Sequence, residues 1–446
     1  MSDYDDLGGL VARMKKAAID CYMAEDGFNP HWNDNQKYAK WGWAYHHYAR
    51  PDANGEGGGS PLTATTTLEA QGSVAPRFDE IRSTIDTILT GWDTLPSGAL
   101  CRAPQSSANA ATALLGGAAS VATVNDSDEI VRATETAMAS LNDLAGSFVG
   151  PVYDKYCAQL LTVTQNLGTV YTILEAQYAA QQAMWPAARE DVVAICTSAA
   201  AAWEGRAAEI AAGARQDSFT VVAAVAGAVA TVATAGVGTA ATVGAVGAFA
   251  STTVSTLSSL DASGGHVSGD TYAEILASLV GALGALNETI AAQELELNRW
   301  LDETLNAMST QLADYNLDAF TLADFSAGDG SSSINRTDTD MITTAMGRVE
   351  GALSEALRAA GAPPVSNPTP RPHAIGVGLA GTHLAASGVY DYANQCLQST
   401  AAEYTRGRGL FDAAVADYFN TDAESQLKVT TLLSQEALIA EMGGRG

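Results

Sequence analysis

An all-α fold is predicted: an elongated bundle of long, antiparallel, coiled-coil-like helices with a small-residue apolar hairpin at one end. Three observations point to it. Hydrophobic residues make up 47% of the 446-residue chain but aromatics only 7%, so the apolar fraction is mostly Ala, Val and Leu, which favours close-packed helices and makes extended β structure improbable. Two stretches carry apolar residues at alternating spacings of three and four, the heptad seam of a helix packed along another helix. An uncharged segment of about forty residues separates those two stretches.

Taken in order, residues 8–26 read as a first helix, and residues 31–50 are the most aromatic part of the chain. With the first helix they form an expected N-terminal helical arm over 1–50. Residues 51–75 open with PDANGEGGGSP, too rich in Gly and Pro for either regular period, and read as a linker. Helices are expected over 77–92 and 106–148, with a break at 95–104 and a turn near 125–127. The first seam is Tyr156, Leu160, Val163, Leu167, Val170 and Leu174. Pro186 predicts a kink or restart, after which helix runs to about Arg215.

The second seam is Leu276, Leu279, Leu283, Leu286, Ile290, Leu297, Leu301, Leu305, Met308, Leu312 and Tyr315, with one gap at Gln293. Its length, about 65 Å at 1.5 Å per residue, suits an elongated bundle. The bundle is expected over 76–325. A loop at 326–337, a helix at 338–360 with an Asp as N-cap, a Pro-rich spacer at 361–372 and a long helix over 375–441 follow. The last two helices form a C-terminal helical hairpin within 338–446.

Residues 218–260 contain no charged side chain, which is long enough for two passes of a bilayer core. Gly236 and Gly238 sit near the centre and predict a turn between arms of about 17 to 20 residues. Small residues recur at four-residue intervals, with Gly227 in the first arm and Gly244 in the second, and Gly247 adds a further close-approach position. The segment reads either as the packed tip of a soluble Ala-rich coil or as a hairpin that enters lipid conditionally, because Ala, Thr, Gly and Val insert weakly compared with Leu, Ile and Phe.

With 23 basic and 50 acidic residues the formal charge is −27, a field that opposes a phosphate backbone and excludes nucleic acid as a partner. Cys21, Cys101, Cys157, Cys196 and Cys396 form no CxxC pair; Cys157 and Cys196 could meet only if their segments fold back on each other. No nucleophile elbow, P-loop, zinc-protease or dinucleotide motif is present, so no enzymatic activity and no cofactor are expected. His31, Asp34, His46 and His47 read as an aromatic arm with exposed imidazoles rather than a metal site, and Asp338 with Asp340 as a helix start rather than a calcium loop.

Two short patterns remain: Trp203-Glu204-Gly205, a W-x-G at the end of a long helical stretch, and Tyr418 through Asp422, a Y-x-x-x-D late in the last helix. Together they resemble the WXG and ESX secretion-associated substrates of type VII secretion systems in actinobacteria. That resemblance implies that W-x-G marks a turn between two helices and that Tyr418 and Asp422, with Trp203 and Gly205, belong to an export signal. In layout alone, two long helices flanking an uncharged hairpin also resemble the α-helical pore-forming toxins.

The expected function is therefore a non-enzymatic secreted protein of a type VII system acting by assembly or conditional membrane contact. The alternatives are a pore-forming toxin component and a structural part of a phage-like or injection particle. Protein partners or self-association in a homo-oligomer, and a membrane surface, are the expected contacts. The acidic start MSDYDDLGGL lacks the features of a cleavable signal peptide. Localisation outside the cell or at the envelope, from a soluble cytoplasmic precursor, is expected.

Overall fold

The computed structural model describes residues 3–31, 34–40, 46–62, 72–116, 129–144, 149–212, 266–321, 335–371 and 375–443, with side chains in the last helix described as far as 421. Among the described residues the fold is all-α apart from one small sheet. Helices are α1 (Leu7–Glu25), α2 (Ala75–Leu89), α3 (Arg102–Leu115), α4 (Glu129–Asn142), α5 (Val149–Tyr153), α6 (Leu160–Ala212), α7 (Tyr272–Thr310), α8 (Arg336–Ala360) and α9 (His383–Gly443). A π-helical turn, Asp154–Gln159, joins α5 to α6. The predicted turn near 125–127 lies outside the described residues.

The 53 residues of α6 span about 80 Å and set the length to which the other helices pack. All six residues of the first predicted seam, from Tyr156 in the π-helical turn to Leu174 on α6, are buried. On α7 the seam is buried at Leu279, Leu283, Leu286, Ile290, Leu297, Leu301 and Met308, and Tyr315 beyond the helix is buried too. The two helices run in opposite directions. Near the start of α6, Gln159 and Asn166 donate to the carbonyls of Ala313 and Asp314 just past the end of α7; near its end, Trp203 meets Tyr272, the first residue of α7.

Several expectations are corrected. Pro186 neither breaks nor restarts α6, which is continuous through it. The ring removes a bond to the Gln182 carbonyl, and Gly98 packs there so closely that an added Cβ would lie 2.9 Å from Gln182 Cα. Arg189 fastens the same loop by donating from Nε to the Leu95 carbonyl at 3.0 Å. Cys157 and Cys196 lie on one continuous helical run, roughly 58 Å apart along it, and cannot pair. All five thiols are buried and free. The N-cap of α8 is Asn335, whose Oδ1 accepts from the Asp338 backbone N–H at 2.8 Å, so Asp338 sits inside the first turn. The last helix begins at His383; residues 375–382 form bends and turns, with the Gly376 and Val377 N–H groups donating to Asn287 and Glu294 of α7.

The N-terminal region is mixed rather than helical. Strands β1 (Asn29–His31), β2 (Asp34–Lys40) and β3 (His46–Ala49) form an antiparallel sheet in that order, with Tyr38 opposite Tyr48. Its aromatic side chains find cover that sequence periodicity could not show. Tyr38 meets Phe78 of α2 edge-on at 6.2 Å, Phe28 meets Tyr48 at 5.2 Å, and the Tyr38 hydroxyl donates to Asp20 on α1. The Gly-rich stretch after β3 is also folded: Arg82 of α2 donates from Nε to the Gly55 carbonyl at 2.6 Å, and Gly59 (φ 76°) has no room for a Cβ against Ala75.

Two hydrophobic cores result. One gathers α3, α4, the first half of α6, the end of α7, α8 and the first half of α9. The other gathers α1, the sheet, α2, the second half of α6 and the first half of α7.

Candidate functional site

The end of the molecule where the uncharged segment leaves and returns is built by the second core. Trp203 on α6 is fully buried and stacks on Tyr272 at 6.1 Å with rings inclined by 23°, while its indole N–H points to the Tyr272 carbonyl at 3.4 Å. One turn earlier, Ser198 Oγ accepts from the Val267 N–H at 3.0 Å. Thr271 caps α7 by accepting from the Glu274 N–H, and the Glu274 carboxylate accepts from the Asp270 N–H at 2.8 Å, a reciprocal cap. From α1, Glu25 accepts from the Tyr272 N–H at 2.5 Å and Arg13 grips Glu204 through two hydrogen bonds of 2.7 and 2.6 Å. Ala212 and His266 are thus attached to the same end, and Gly227, Gly236, Gly238, Gly244 and Gly247 lie outside the described residues.

The W-x-G motif itself corrects the role its resemblance implied. It does not end a helix: α6 continues through Gly205 to Ala212, and open space surrounds the position a Gly205 Cβ would occupy. Trp203 is a core residue that braces α6 on α7. In α9, Phe411 is buried, Val415 packs on the first core and Tyr418 is half-buried, so the predicted stripe is present. Tyr418 stands edge-on to Phe419 at 5.6 Å, and the Arg336 guanidinium of α8 lies over the Phe419 ring. The Asp422 side chain lies outside the described set.

Between the two cores lies a polar cross-section that the sequence reading passed over. Gln177 and Gln181 of α6, Gln293 and Glu294 of α7 and Arg371 of the spacer are all buried there. Arg371 donates from Nη2 to Glu294 Oε1 at 2.6 Å with both side chains 0% exposed. Glu294 Oε2 accepts from the Val377 N–H at 2.9 Å, and the guanidinium sits 4.8 Å from the centre of the Trp185 ring. Trp185 donates to Gln181 at 2.8 Å and Gln177 to Thr382 at 2.6 Å. Gly376 (φ 70°) and Gly381 (φ 54°) press against this pair, where an added Cβ would fall 2.3 Å from the Glu294 carboxylate and 2.1 Å from the Arg371 guanidinium. Two signals foreshadowed the layer: the gap at Gln293 in the heptad seam, and Arg371 as the single Asp, Glu, Lys or Arg between Arg358 and Asp391.

Burial pushes the thiols of Cys101, Cys157 and Cys196 up to about 12 and that of Cys396 to about 11, which suppresses the nucleophilic thiolate. Burial lowers the pKa of His383. No group of three His, Cys, Asp or Glu side chains that could hold a metal ion occurs among the described residues. An open cleft of about 800 Å³ runs between α1 and α2, lined by Leu7, Gly8, Val11, Lys15, Asp86 and Asp93, with Lys15 and Asp86 paired at 2.8 Å. No protein-family model, curated protein or solved structure matches the chain.

Proposed function

We propose that this protein is a non-enzymatic helical protein, exported through a type VII route, that acts by conditional insertion of residues 218–260 into a membrane. One observation carries the reading. An uncharged segment long enough for two bilayer passes is attached at both ends to the same end of an antiparallel helix pair, and Trp203 stacked on Tyr272 braces that attachment. The formal charge of −27 repels an anionic lipid surface at neutral pH, so acid favours contact by protonating carboxylates.

Export is supported by the position of Tyr418, half-buried on a 61-residue helix that continues beyond the core residues Phe411 and Val415. The same length, about 90 Å, favours a second reading in which the chain is a structural or self-assembling component of a larger particle. Dye release from anionic and neutral liposomes at neutral and acidic pH tests insertion. Wild type is expected to cause leakage at acidic pH, and Gly227→Leu and Gly244→Leu to bind vesicles but assemble poorly. Absence of binding under every condition leaves the assembly reading. Secretion into the host culture medium, lost in Tyr418→Ala or Asp422→Ala without loss of helix content, tests the route.

A further inference from the structure

The first half of α7 presents an apolar face that nothing among the described residues covers. From Ile275 to Asn287 the helix has no charged residue, and it contains an 18-residue window of mean hydropathy 1.6 of which only 28% is buried. Its inner face packs on α6, but Ala277, Val280, Gly281, Gly284 and Ala285 are exposed, Val280 by 49%, and beyond this stretch Leu295 is exposed by 57%. Open space surrounds the Cβ positions of both Gly281 and Gly284, so another backbone can approach there closely. In an acidic chain of this kind, an exposed face of that length is expected to have an occupant.

We propose that the occupant is the chain's own 218–260 segment, docked along the outer face of α7 before any membrane is met. Three facts select it. The segment is tied to this very helix, His266 preceding Tyr272 by six positions, and its other end follows Ala212, nine residues past the Trp203 that meets Tyr272. An arm of about 17 to 20 residues, if helical, spans roughly 25 to 30 Å, enough to cover the uncharged stretch from Ile275 to Asn287, which is about 20 Å long. Chemistry matches as well: the helix carries no charge between Glu274 and Glu288 and the segment none at all, and small residues at four-residue intervals in the segment's sequence suit close approach to Gly281 and Gly284. Each apolar surface supplies the cover that the other requires. The inference deepens the insertion reading, on which it rests only for what the segment does after leaving α7.

Val280→Cys and Leu295→Cys, each labelled with a benzophenone maleimide, test docking in the full-length soluble protein; Leu410→Cys on α9, where the native side chain is 61% exposed, is the control. The native thiols are buried and react slowly. Docking predicts that the thiol introduced at position 280 reacts with maleimide about tenfold more slowly than the one introduced at position 410, and that illumination links position 280 to peptides within 218–260 of the same chain. Equal reactivity, links confined to other segments, or links between two chains would overturn it. Anionic phosphatidylglycerol vesicles separate the two ideas: an intramolecular link without leakage at any pH keeps the docked segment and rejects insertion, whereas leakage without a link rejects docking alone.

Discussion

The two cores of this protein are built on the same long helix and differ in how completely they close. Around the first half of α6, helices α3, α4, α8 and α9 surround the apolar face, and buried Leu167, Tyr171, Leu174, Val349 and Tyr390 form a continuous interior. Around its second half, α1, α2 and the sheet cover one side while α7 is packed mainly from within and open without. A closed core holds itself; an open one awaits a further element. The polar cross-section at Glu294 and Arg371 divides the two, and it ties the spacer before α9 to the helix that bears the open face. The difference teaches that an exposed, uncharged helix face, from Ile275 to Asn287, lies in the half of the molecule where the uncharged segment is attached.

The largest effect is expected at that boundary. Glu294→Ala leaves the Arg371 cation buried without its carboxylate and should cost about 3–5 kcal/mol, whereas Glu294→Met with Arg371→Met should recover most of it. Chemical denaturation of the single and double variants measures the coupling. If the single replacement is neutral, the boundary is not the organising junction described.

Comparable in size, Trp203→Ala removes the brace at the open end and should cost about 3–5 kcal/mol. Hydrogen exchange is expected to quicken in α1 and the first half of α7 while the α8–α9 pair stays protected, which would sharpen the contrast between the cores. The matching change on the closed side is Gly407→Ala, since a Cβ there would lie 2.1 Å from the Tyr156 ring. It should cost about 1–3 kcal/mol by overpacking and quicken exchange in α9 instead.

Each core also carries a buried carboxylate with a depressed pKa. Burial alone would raise Asp20, but hydrogen bonds from Arg50, Lys16 and Tyr38 outweigh it and hold its pKa below the ordinary value. Glu403 is likewise held down, with burial opposed by Lys155, Arg406 and Tyr156. A lowered folded-state pKa contributes stability above the unfolded value, about 4, and that contribution is lost as pH falls through the folded value. Thermal melts from pH 6 to pH 3 should therefore fall less steeply in Asp20→Asn than in wild type. The smallest effect is expected for Tyr418→Ala. Half-buried beyond the closed core, it should change stability by less than about 1 kcal/mol, so a loss of secretion in that variant would speak for recognition rather than folding.

Much of the architecture was legible in sequence because helices announce themselves locally. The 3–4 spacing of Leu160, Val163 and Leu167, and of Leu279, Leu283 and Leu286, is written into side chains a turn apart and survives any tertiary arrangement. Net charge and the uncharged stretch at 218–260 are likewise properties of composition. What only the tertiary structure decided depends on residues far apart in the chain. Tyr38 became a strand residue because Asp20 and Phe78 receive it, and Pro186 was carried inside a helix because Gly98 packs against the turn it weakens. Trp203 turned from motif to brace because Tyr272 returns beside it after an intervening stretch of 68 residues. The Glu294–Arg371 pair, separated by 77 positions, shows the reason in its plainest form. Spacing along the chain reveals which face a residue occupies, but a buried charge is tolerated only where the fold delivers its partner, and no local pattern records that delivery.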